Sequence, residues 1–293
     1  LSAANVGNAN WVLVTDHKAK KNPSKSDTEQ GYDMGLRGMS THGFQLTFAM
    51  SSNGTKHLVT VQYNVIYSQT SEQLLPEAMS AVRLVLNQMG RDFPWLQSGT
   101  IVSDKCNTLQ AFEQIVFVHE GNREGWTTAK NNIPCKIRVA RWTHSEAGCG
   151  KDTLDAHFGW LEVGWNNYLR CDGDIVCPRD MFLASAQYPI ANTTYILADT
   201  SHPGFKTKFD PPRLGVRAVH VYIYGADGNV ELLHHTGITR PGTYEKLWFN
   251  RPPELTPNAS QAEQTAHKIA TASHARVSAW YGKNDTETHH AVI

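Results

Sequence analysis

Apolar runs broken by polar turns mark out the first half of the chain. Trp11-Val12-Leu13-Val14-Thr15 is short, apolar and β-branched, as a buried strand is, and Asp16 stands directly at its end. From His17 to Gly38 the chain is polar, with Lys18, Lys20, Lys21 and Lys25 ahead of a glycine-rich stretch, which predicts a long, locally basic loop. His42 to Met50 and Leu58 to Tyr67 alternate in the manner of strands. Ser51-Ser52-Asn53-Gly54 supplies the turn residues of a hairpin between them.

A change of period follows. Leu74, Leu75, Ala78, Val82, Val85 and Leu86 recur at helical spacing, predicting a helix from Ser71-Glu72 to about Met89 with Gly90 as its stop. Gly99-Thr100-Ile101-Val102-Ser103 is then a second short buried strand, and Asp104 follows it as Asp16 follows the first. Because both runs end in an acid, they are expected to be neighbours in one mixed sheet. Thr108 to Gln114 reads as a helical turn, Ile115 to Val118 as a strand, and Glu120 to Asn132 as a loop. Lys136 to Trp142 alternates as a strand. From Asp152 a helix places Leu154, Phe158, Leu161, Trp165 and Leu169 on one stripe, so it packs on a sheet or core.

Beyond Gly173 the pattern turns β-rich. A short helix at Pro178 to Gln187 precedes strands at Tyr195 to Ala198, Ala218 to Tyr224 and Val230 to His234, with a turn at Ala226-Asp227-Gly228-Asn229. The tail from Pro252 is proline-rich, then polar, with one weak amphipathic helix at Gln261 to Trp280. Three units are expected: an α/β core over 10–171, a β-rich extension over 172–251, and a polar, largely flexible tail over 252–293.

The 40% hydrophobic and 18% charged residues belong to a globular protein rather than a disordered or fibrous one, and no run approaches the length of a membrane span. Lysine plus arginine balances aspartate plus glutamate at 27 each, so any nucleic-acid partner is met locally rather than by an overall basic charge. Cys106, Cys135, Cys149, Cys171 and Cys177 form no C-x-x-C pair, which argues against a disulfide framework and for a reducing, intracellular compartment. The sequons at Asn53, Asn192, Asn258 and Asn284 are discounted for want of an N-terminal leader pattern.

Standard catalytic templates fail. Gly148-Cys149-Gly150-Lys151 lacks the first glycine of a phosphate loop, where Ser145 stands, and Asp152 occupies the place of its Ser/Thr. There is no G-x-S-x-G elbow and no H-E-x-x-H, and Cys171 with Cys177 is read as structural rather than zinc-binding. What remains are carboxylates at particular stations: Asp16 and Asp104 at strand ends, and Asp152 and Asp155 at the start of the later helix. At the carboxyl edge of an α/β sheet such acids converge, and clustered carboxylates stay ionised cheaply when a hard cation, Mg²⁺ or Mn²⁺, neutralises them. The plain reading of each aspartate alone is a turn or helix cap.

Taken together, Asn10 to Cys171 resembles the RNase H-like core of DDE/D-type DNA transposases and integrases. Val14-Thr15-Asp16-His17-Lys18 and Ile101-Val102-Ser103-Asp104-Lys105 are similar to its first two acid strands. Ser145 to Asp155 is similar to the G-K-x-x-x-D segment of several eukaryotic transposon families. The resemblance implies an RNase H-like mixed sheet flanked by helices and a catalytic, metal-binding triad of Asp16, Asp104 and Asp155, with Asp152 the alternative third acid. It further implies Mg²⁺ or Mn²⁺ as cofactor, DNA as partner and a nuclear location, and leaves self-association open. Lys18, Lys20, Lys21, Lys25 and Lys151 become candidate DNA-backbone contacts. A domesticated, non-catalytic binding protein of the same fold and a nuclease without strand transfer are the alternatives.

Overall fold

The computed structural model describes residues 10–24, 38–52, 54–68, 73–104, 111–128, 131–145, 152–171, 173–199, 219–233 and 244–282. β1 (Asn10–Lys21), β2 (Met39–Ser52) and β3 (Thr55–Tyr67) form an antiparallel meander, with Thr15 opposite Phe44 and Asp16 opposite Gly43. Their alternation turns Trp11, Leu13, Phe44, Leu46, Phe48, Tyr63 and Val65 to one face. α1 (Leu75–Asp92) covers that face with Ala78, Val82, Val85, Leu86 and Met89.

β4 (Ser98–Asp104) lies parallel to β1, Trp11 through Thr15 in register with Gly99 through Ser103, so the two acid-ended runs are adjacent strands as expected. α2 (Phe112–Glu124) joins α1 over the same core. β5 (Trp126–Thr128) and β6 (Asn131–Cys135) make a small separate ribbon, and β7 (Arg138–Ser145) adds parallel to β4. α3 (Asp152–Cys171) and α4 (Pro178–Gln187) pack on the opposite face around Leu154, Phe158, Leu161, Trp165, Met181 and Ala184, meeting Val14 of β1.

The chain beyond residue 172 extends this same sheet at both edges. β8 (Thr193–Ala198) pairs with β3, and β9 (Val221–Tyr224), β10 (Val230–Leu233) and β11 (Tyr244–Leu247) continue from β7. The resulting nine-stranded mixed sheet runs β11-β10-β9-β7-β4-β1-β2-β3-β8, with helices on its two faces. α5 (Gln261–Gly282) is seated against β11: Ala270 and Val277 are buried, and the Ser273 hydroxyl donates to Lys246 O and accepts from Trp248 N. This part of the expected flexible tail is therefore packed. Among the described residues no helix is long and apolar enough to cross a membrane.

Four local expectations are corrected. β1 runs on to Lys21, where a loop from His17 was expected, because it stays paired with β2 after leaving β4. Ile115 to Val118 is helical, part of α2, and all four side chains are buried, so the run carries no periodicity to separate helix from strand. α1 begins at Leu75, after an extended Leu74 and with Pro76 in its first turn, and continues through Gly90. Glu120 to Asn132, expected as a loop, includes the end of α2, all of β5 and the start of β6.

Candidate functional site

Asp16 and Asp104 each follow the last pair of the parallel β1–β4 register, Thr15 with Ser103. They therefore leave neighbouring strands at the same level, on backbones about 4.8 Å apart. Alternation decides the face. Leu13 and Ile101 point into the α1–α2 core, so Asp16 and Asp104 point to the other side, where Val14 meets α3. The Asp16 carboxylate accepts from the backbone N–H of His17 at 2.9 Å, and that of Asp104 accepts from the Ser145 hydroxyl at 3.3 Å.

α3 brings the third acid to this level. Leu154 and Phe158 both lie over Gly43, the residue opposite Asp16, so the helical turn carrying Asp155 is beside Asp16 along the strand. The flank follows from two contacts. His157 Nε2 accepts from the Asn64 amide of β3 at 2.7 Å, while Glu162 accepts from Lys18 of β1 at 2.8 Å. Asp155 precedes Glu162 by seven residues, two helical turns, and shares its flank. It thus faces the β1–β4 side and is exposed.

The basic residues divide. Lys18 Nζ is held by Glu162 and lies 5.8 Å from the centroids of both Phe158 and Trp165, and Lys21 Nζ is 3.7 Å from the same carboxylate. Both side chains are largely buried, so the free basic loop expected here has two of its cations committed to α3. Burial works against the Glu162 charge, but the hydrogen bond and charge of Lys18, with those of Lys21, outweigh it and hold the carboxyl below its ordinary range. Lys20 is exposed. Lys25, Lys151 and the Asp152 side chain lie outside the described residues, as do Cys106 and Cys149. Cys171, read from the sequence as structural, is exposed, and the Cys177 side chain accepts from the first turn of α4.

A polar layer lies directly behind the acids. On the α1–α2 face Thr15, Ser103, His42 and His144 are all buried. His42 Nε2 is 2.6 Å from Thr15 Oγ1 and its Nδ1 is 3.2 Å from the Tyr67 hydroxyl; His17 stacks on the His42 ring at 3.9 Å. On the other side His144 Nδ1 is 3.1 Å from Ser103 Oγ, which also accepts from Trp142 Nε1 at 2.9 Å. Burial, with His17 alongside, keeps His42 well below the usual histidine range and therefore neutral. Sequence reasoning passed over these histidines; the available signal was a polar residue at the end of each of four apolar alternating runs.

The donor set is oxygen-only and carboxylate, which suits a hard divalent cation rather than zinc or copper. Among the described residues, no three His, Cys, Asp or Glu side chains are grouped closely enough to enclose a metal ion. The chemistry present fits an ion carried by one or two carboxylates with the remaining positions left to water, the habit of Mg²⁺. Comparison of the chain with protein-family models and with curated proteins finds no match.

Proposed function

We propose that the chain is the catalytic region of a DDE/D-type DNA transposase built on an RNase H-like core, in which Asp16 and Asp104 hold Mg²⁺ or Mn²⁺ and Asp155 completes the set. One observation carries the reading: two aspartates leave adjacent parallel strands at one level, on the face where α3 carries a third acid. The succession of three antiparallel strands, a helix, a parallel strand, a further parallel strand and an acid-bearing helix supports the fold, with α2 and the β5–β6 ribbon between the last two strands.

A bound cation would supply electrostatic stabilisation of a phosphodiester under attack and lower the pKa of a ligated water. The chain's own residues do the holding. The His17 N–H donates to the Asp16 carboxylate and the Ser145 hydroxyl donates to that of Asp104, and these bonds orient the two acids. In the first step water adds to phosphorus, the P–O bond to the 3′-oxygen breaks, and a DNA 3′-hydroxyl is released. In the second that hydroxyl attacks a phosphodiester of the target strand and displaces its 3′-oxygen.

The test is cleavage of supercoiled plasmid in Mg²⁺ or Mn²⁺. The wild type should nick it, and Asp16→Asn and Asp104→Asn should not. Undiminished nicking by Asp104→Asn would contradict the reading. Joining of pre-cut ends separates a transposase from a nuclease that only cuts. A second reading, a non-catalytic DNA- or protein-binding descendant of the same fold, is favoured by the lack of a closed three-acid group among the described residues. Under it the plasmid stays intact at every metal concentration.

A further inference from the structure

Four neighbouring strands change from apolar to polar near one end of the face under α1 and α2: β1, β4 and β7 at the level of Thr15, and β2 one step further on, at His42 opposite His17. On the α1–α2 face β1 runs Trp11, Leu13, then Thr15; β4 runs Gly99, Ile101, then Ser103; β2, read backwards, runs Phe48, Leu46, Phe44, then His42; β7 ends with Trp142, then His144. Burying four polar side chains is costly unless each is hydrogen-bonded. Replacing both members of such a pair by apolar groups of the same shape is often neutral or stabilising. Stability alone therefore gives little reason for the layer, and its location suggests another role.

The bonds join strands in a particular way. Thr15 of β1 is tied outward to His42 of β2, and Ser103 of β4 is tied outward to His144 of β7. The seam between β1 and β4, where the two acids emerge, is thus gripped from both sides. Thr15 immediately precedes Asp16 and Ser103 immediately precedes Asp104. His17, which follows Asp16, stacks on the same His42 ring, so both chain neighbours of Asp16 are held by one imidazole. In a strand, successive side chains project to opposite faces from one rigid backbone. A twist of residue 15 or 103 about the strand axis therefore swings the following carboxylate.

We propose that His42 and His144 are positioning residues that act through the hydroxyls of Thr15 and Ser103 to set the spacing and aim of the Asp16 and Asp104 carboxylates. The proposal rests on the reading of those two aspartates as a cation-binding pair. A neutral imidazole has one donor and one acceptor nitrogen, so it gives each hydroxyl a direction as well as a partner. On the β7 side Ser103 Oγ is held twice, accepting from Trp142 Nε1 and lying 3.1 Å from His144 Nδ1.

The test measures Mn²⁺ affinity from the electron paramagnetic resonance signal of the unbound ion, alongside metal-free melting curves. Thr15→Val and Ser103→Ala, which keep strand shape but lose the hydroxyl, should each weaken Mn²⁺ binding about tenfold, the scale seen when groups supporting a metal ligand are lost. Thr15→Ser, which keeps the hydroxyl, should bind as the wild type does. Val85→Ala, a cavity in the α1 core, should lower the melting temperature and leave Mn²⁺ affinity unchanged. Unchanged affinity in both Thr15→Val and Ser103→Ala, or an equal loss in Val85→Ala, would overturn the positioning role while leaving the aspartate pair intact. Should Thr15→Val not fold, the affinity of Ser103→Ala alone decides for or against the positioning role. Absence of Mn²⁺ uptake by the wild type, or uptake undiminished in Asp104→Asn, would overturn the aspartate-pair reading itself, and the positioning role with it.

Discussion

The Phe158 ring lies against the bare backbone of Gly43: a Cβ on that glycine would stand 2.5 Å from Cε1 and 2.6 Å from Cζ, with Leu154 Cδ1 at 3.2 Å. Gly43 is the β2 residue opposite Asp16, so this contact sets how close α3 comes to the first acid. Gly43→Ala should force the helix outward. Overpacking of this kind costs about 1 to 3 kcal/mol, measurable by urea denaturation. Adding Phe158→Leu should recover part of the loss, and strictly additive effects of the two changes would show that they do not touch.

Glu162 ties α3 to β1 through Lys18 and Lys21. The carboxylate is partly exposed, so Glu162→Gln should cost only about 0.5 to 1 kcal/mol. Its folded pKa is depressed, so its contribution is full above the ordinary glutamate value of 4.5 and is lost as pH falls through the lowered folded value. The same variant frees two cations beside Asp16. If DNA lies there, Glu162→Gln should bind DNA more tightly at low salt and steepen the dependence of log K on log salt by up to about two phosphate contacts. An unchanged slope would mean that the backbone does not reach these lysines.

Two histidines on the covering helices predict an acid-sensitive range. His157 accepts from Asn64 and so uses a ring lone pair, and His119 stacks on Phe249 at 4.1 Å. Burial lowers both to about 4, with Arg123 adding to the effect at His119. The unfolded chain takes up these protons near 6.5 and the folded chain only near 4, so the contribution of these two histidines to stability should fall as pH drops across that interval. Each histidine accounts for roughly 3 kcal/mol. Melting temperature against pH should show the slope, and His157→Gln, whose amide oxygen can accept from Asn64, should flatten it.

The acid-ended strands were legible because a short β-branched run closing on aspartate occurs twice, and the parallel register of Trp11–Thr15 with Gly99–Ser103 follows that repeat. The α3 stripe was legible from its period, since Leu154, Phe158, Leu161 and Trp165 are the residues it buries. Ile115 to Val118 was not, because a segment buried all round has neither period. Lys18 and Lys21 read as loop cations, since nothing local reveals that Glu162, more than 140 positions later, will meet them. Gly43 and the two histidines are likewise legible only once β2 and β7 are laid beside β1 and β4.

Asp155 and Asp152 separate the site from the helix start. Asp155 lies at the level of Asp16 on the flank of α3 toward β1 and β4, whereas Asp152 is the first residue of the helix. Asp155→Ala should abolish metal-dependent cleavage with the fold intact. Asp152→Ala should cost at most about 1 kcal/mol, from lost interactions at the helix N-terminus, and spare most activity. Cleavage that survives loss of Asp155 but not of Asp152 would reverse the assignment.

Thermal melting of the protein against Mn²⁺ concentration shows whether Asp16 and Asp104 together hold a hard cation, as proposed. A ligand bound only by the folded state stabilises by about 2.7 kcal/mol at a hundred times its dissociation constant. The wild-type melting temperature should therefore climb with Mn²⁺, and Asp16→Asn and Asp104→Asn should show no climb. An equal climb in Asp104→Asn, or none in the wild type, would contradict the claim.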